Sequence, residues 1–69
     1  MPDLKYEIEI EQEDDGRWIA EIVSLPGVLA YGATRDEAIA NAEAIALRVI
    51  ADQIEAGKSG ARNLFFSCA

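Results

Sequence analysis

The sequence predicts an α+β fold of order β-β-β-α-β: one four-stranded mixed sheet with a single helix packed on one face. Three observations predict it. Residues 4–11 alternate apolar and charged side chains, residues from 35 to about 56 carry apolar side chains at helical spacing, and glycine-bearing turns punctuate the first half.

In the first strand, Leu4, Tyr6, Ile8 and Ile10 alternate with Lys5, Glu7, Glu9 and Glu11. A period of two marks a strand with one face on a core and one in water. The second strand, residues 17–23, is rich in aromatic and β-branched side chains. Asp15-Gly16 between them suggests a two-residue hairpin, but parity argues otherwise. That turn would set Ile10 opposite Glu21 and mismatch the two apolar faces. A three-residue loop, Asp14-Asp15-Gly16, instead pairs Ile10 with Ala20 and Ile8 with Ile22, and puts Gly16 in the left-handed position.

Leu25-Pro26-Gly27-Val28 reads as a type II turn, with Pro26 presetting φ and Gly27 accepting a positive one. A short strand, residues 28–31, follows and ends at Gly32. Thr34 and Glu37 form a capping box that opens the helix. Ile39, Ala42, Ala46, Val49 and Ile50 make its apolar stripe, flanked by Ala38 and Ile45, with Glu37, Asn41, Arg48, Asp52 and Glu55 opposite. Leu47, Ala51 and Ile54 widen the apolar arc beyond what one small sheet covers. Gly57 is expected as the C-terminal cap. Residues 58–63 form a polar loop, and residues 64–68 a last strand parallel to an earlier one, reached by the helical crossover.

A chain of 69 residues holds one domain with a small core. One cysteine, Cys68, and no histidine leave no internal disulfide and no zinc ligand set. Self-association is the remaining way to add buried surface, so a homodimer or higher oligomer is expected. Its surface would be Leu47, Ala51 and Ile54, or an unpaired sheet edge. The start lacks a signal-peptide pattern and no apolar run is long enough to span a membrane, so a soluble domain is expected, and the lone cysteine fits a reducing cytoplasm.

Thirteen acidic and six basic residues give a net charge of −7. Clustered cations for phosphate are lacking, which argues against direct nucleic-acid binding and for a basic protein partner. Catalysis finds little support. The hydroxyls of Ser24, Ser59, Ser67 and Thr34 have no histidine base, and Cys68, beside Phe65 and Phe66, reads as buried filler. Glu13-Asp14-Asp15-Gly16 lacks the ligand spacing of a calcium loop. No catalytic residue, metal or cofactor is expected. Glu7, Glu9, Glu11 and Glu21 share one sheet face and are the candidates for partner binding. Tyr31 is either an interface anchor with them or part of the core, and Trp18 falls in the core or at its edge.

Tyr6-Glu7-Ile8-Glu9-Ile10-Glu11, then Asp15-Gly16-Arg17-Trp18-Ile19-Ala20-Glu21-Ile22, Leu25-Pro26-Gly27-Val28, and Tyr31-Gly32-Ala33-Thr34-Arg35-Asp36-Glu37-Ala38 together resemble the HicB-like antitoxin family. The likeness runs on through the helix to Gly57. It implies a truncated RNase H-like domain that masks a small basic, mRNA-cleaving toxin of the HicA-like kind. It does not imply nuclease activity, because the core-facing positions are Tyr6, Ile8 and Ile10 rather than grouped carboxylates. The family's common C-terminal DNA-binding domain is not expected in residues 1–69, and Lys58-Ser59-Gly60-Ala61-Arg62 replaces its usual proline-containing segment. The alternative is a stand-alone homo-oligomeric structural domain of the same family with no toxin partner.

Overall fold

A computed structural model describes residues 4–57 and 63–68. The elements are β1 (Leu4–Gln12), β2 (Trp18–Ile22), β3 (Leu29–Gly32), α1 (Arg35–Gly57) and β4 (Leu64–Cys68). They form one sheet of order β3-β2-β1-β4, with β1–β2 and β2–β3 antiparallel and β1–β4 parallel. This is the expected mixed sheet with one helix on it. The loop expected at residues 58–63 lies outside the described residues except for Asn63.

The hairpin has the register that parity requires: Ile8 opposes Ile22, Ile10 opposes Ala20 and Gln12 opposes Trp18. The loop is three residues long. Glu13 N–H donates to the Arg17 carbonyl at 2.7 Å, Gly16 N–H donates to the Glu13 carbonyl at 2.9 Å, and Gly16 sits at φ 92°. In the next turn Val28 N–H donates to the Leu25 carbonyl at 3.0 Å and Gly27 has φ 84°, as a type II turn needs. Valine at either glycine would be forced into a backbone region that β-branched residues avoid. Gly16→Val and Gly27→Val should each lose about 1–3 kcal/mol of stability, read as a lower midpoint in urea unfolding. Both sites have open space around them, so the loss is backbone strain and not a clash.

Thr34 Oγ1 accepts from Glu37 N–H at 3.1 Å and caps α1. Glu37 Oε1 reaches back one residue further than a standard capping box, to Ala33 N–H at 3.4 Å. The helix ends at Gly57, which is its last residue and does not take the left-handed φ of the expected cap.

The helix packs across β3 and β2 and touches β1 at fewer points, so that it lies away from β4. Its buried ridge is Ala38, Ala42, Ala46 and Ile50, with Ile39, Ile45, Val49 and Ile54 half-buried along its sides. The stripe is therefore turned from the expected one: Ala38 lies at its centre and Ile39 at its flank. Small residues are needed there because Ala20, Ala30 and Gly32 bring the sheet close. A Cβ on Gly32 would lie 2.9 Å from Ala38 Cα and from the Glu37 carbonyl carbon. Ile8 and Ile22 are the largest fully buried side chains, and Tyr6, Leu25 and Val28 complete the sheet side of the core. Trp18 packs at its edge. Cys68 is exposed, contrary to the expectation of a buried filler, because β4 is an edge strand and α1 lies mainly over β3 and β2.

Candidate functional site

The sheet face away from α1 is open. Alternation along each strand places Glu7, Glu9 and Glu11 of β1, Ile19 and Glu21 of β2, Leu29 and Tyr31 of β3, and Phe65 of β4 on it. The structure thus brings together all five of the sequence-predicted partner-binding residues. Tyr31, which could have been core, is 44% exposed on this face. Its cross-strand partner is Ile19, and Glu21 opposes Leu29. An apolar strip of Ile19, Leu29 and Tyr31 therefore borders the carboxylates on the β3 side.

The carboxylates are crowded. Glu9 stands directly opposite Glu21, and Glu11 opposite Ile19. Glu13 and Arg17 form a hydrogen-bonded pair, so every second pair along the ladder, including Glu9 with Glu21, is of that type, with Cα atoms about 5.5 Å apart. Like charges so placed oppose folding by roughly a few tenths of a kcal/mol to 1 kcal/mol. Among the described residues the single ion pair is Arg17 with Asp15, at 2.7 Å, and none of the four glutamates has a cationic partner. A depression of about 380 Å³ lies among Glu9, Ile10, Glu11, Glu13, Ile19 and Glu21.

Cations mark the ends of the face. Lys5 lies beyond Glu7, and Arg17 lies at the hairpin end with its guanidinium carbon 4.8 Å from the centre of the Tyr31 ring. Arg17 is already engaged with Asp15. The hydrogen bond from Arg17 N–H to the Asp15 carboxylate, with the guanidinium contact adding to it, holds the Asp15 carboxyl below its ordinary pKa. The Arg17 guanidinium lies over one side of the Tyr31 ring. From the other side, Asn41 Nδ2 donates to the Tyr31 carbonyl at 3.0 Å, tying β3 to the helix. Tyr31 is thus an exposed aromatic on a braced backbone, which suits an anchor.

Among the described residues no group of three or more Asp, Glu, Cys or His is placed to hold a metal ion. Thr34 is occupied as the helix cap. The face thus sets a group of carboxylates, which attract cations at long range, beside a short apolar strip. No described helix is long and apolar enough to cross a membrane.

Of the predicted self-association residues, Leu47 and Ala51 are exposed on α1, while Ile54 is half-buried against the core. Sequence reasoning missed Ile19 and Leu29 as members of the open face. The signal was present: the parity that puts Glu21 outside puts Ile19 there too, and the pairing register then carries it to Leu29 and Tyr31.

With this geometry the chain is defined as an α+β domain with one covered and one open sheet face. No protein-family model, curated protein or solved structure matches it.

Proposed function

We propose that the open face docks a basic protein, and that the chain is an antitoxin-type module masking a small basic, mRNA-cleaving toxin. The observation that carries the first part is the group of four glutamates with no ion pair among the described residues, Glu9 directly opposite Glu21, next to the Ile19–Leu29–Tyr31 strip. A surface that keeps such repulsion in the free state recovers the cost when a cationic partner arrives. The resemblance of residues 6–57 to HicB-like antitoxins supports the second part and supplies the nature of the partner. On this reading the protein is not an enzyme, acts in the cytoplasm and does not itself touch nucleic acid. Its carboxylates mimic the charge of the RNA that the toxin would otherwise hold.

The test is an RNA-cleavage assay with a basic ribonuclease encoded beside this chain. Cleavage should stop at equimolar addition of the chain, and heat-denatured chain should have no effect. Undiminished cleavage at excess chain would overturn the toxin assignment. The alternative, a homo-oligomeric structural domain with no toxin, draws on a different observation, the bare outer edge of β4.

A further inference from the structure

We infer that a second copy of this chain adds at the outer edge of β4, the two β4 strands pairing antiparallel to join two sheets into one. The inference does not depend on the toxin assignment. It starts from where the backbone of β4 points. Leu4 N–H donates to the Asn63 carbonyl at 2.9 Å. In a parallel ladder this fixes the alternation, so that residues 63, 65 and 67 address β1, whereas Leu64, Phe66 and Cys68 turn N–H and C=O outward. Among the described residues nothing accepts from or donates to that outward row.

The other edge of the sheet is shorter and partly taken. On β3 the outward-pointing residues are Leu29 and Tyr31, and the Tyr31 carbonyl is taken by Asn41 from α1, which lies over this strand. Among the described residues nothing covers the outer edge of β4, and the strand carries no device that commonly blunts an edge, since Leu64-Phe65-Phe66-Ser67-Cys68 contains no lysine, no proline and no charge. It is also apolar on both faces. Phe65 is 48% exposed on the open face and Leu64 36% exposed on the helix side, where Phe66 stacks against Tyr6 with ring centres 5.8 Å apart.

Charge selects the occupant. A cationic partner is drawn to the glutamates of the open face, not to an uncharged strand. A second copy carries the same −7 and can approach closely only where the chain is neutral. β4 is also self-complementary in antiparallel sense, as a twofold interface requires. With the axis through Phe66, all five residues overlap. Phe66 then meets the partner's Phe66, and Leu64 meets the partner's Cys68. The competing surface on α1 is weaker. Leu47 is 46% exposed, but it is an isolated large side chain beside Arg48 and Glu43.

The experiment combines sedimentation across a concentration series with amide hydrogen exchange, using the chain alone. The wild type should dimerise, and the amides of Leu64, Phe66 and Cys68 should slow as it does. Phe65→Lys, which places a charge beside the axis without touching the core, should raise the dimer dissociation constant about tenfold or more. Leu47→Lys should leave it unchanged. If Phe65→Lys fails to melt cooperatively, Ser67→Lys on the same face serves in its place. Three results would overturn the inference: a monomer at every concentration, a dimer lost with Leu47→Lys but kept with the β4 variant, or a dimer in which those three amides exchange freely.

Discussion

Gly32→Val should cost about 3 kcal/mol of stability, the upper end for forcing extra atoms into a packed site. The cause is not strain at positive φ, since Gly32 lies outside that region. Its hydrogen instead faces the backbone of the first turn of α1, and a Cβ would stand 2.9 Å from Ala38 Cα. Backbone cannot swing aside as a side chain can, so α1 would have to lift from β3. That shift would also loosen Ala42 and Ala46, which are fully buried on the same ridge. A domain of this size has a total stability of only about 3–10 kcal/mol, and the melting temperature should fall by more than about 10 °C. Gly57→Ala is the control. It has open space around it and an ordinary φ, so it should melt at or slightly above the wild type. Equal effects of the two substitutions would contradict the close-approach account.

The elements and their order were legible because each is written in local chemistry. Strict alternation marks β1, and parity with Ala20 and Ile22 sets the loop at three residues. Pro26-Gly27 and Thr34–Glu37 named their own turn and cap. The helix face was less legible. A periodicity reading favours the large side chains of Ile39 and Val49, whereas close approach at Gly32 selects the alanines. The exposure of Cys68 was not legible at all. It depends on α1 lying toward β3 and β2, a lateral position that no local pattern encodes. For the site, the acidic stripe was read correctly as one face, while its apolar border needed the β2–β3 register to appear.

Reversal of charge on the open face should separate stability from binding. Glu21→Lys turns the repulsive pair with Glu9 into an attractive one, which should hold or raise the melting temperature, the gain being about 0.2–1 kcal/mol. The same change removes two units of negative charge from the centre of the face. Steering by a charged surface accelerates encounter by roughly 10–1,000-fold and is screened beyond about 10 Å at 0.1 M salt. Association with a basic partner should therefore slow about tenfold at low salt, and its salt dependence should flatten. Dissociation should change less, because Tyr31 and its apolar neighbours supply the close contact. The most direct measurement is stopped-flow association of wild type and Glu21→Lys with the basic toxin across a salt series, alongside their melting temperatures. The open-face account predicts an unchanged or higher melting temperature together with slower, less salt-sensitive association. An equal on-rate and salt slope for the two proteins would contradict it and leave the glutamates as a solvated surface alone.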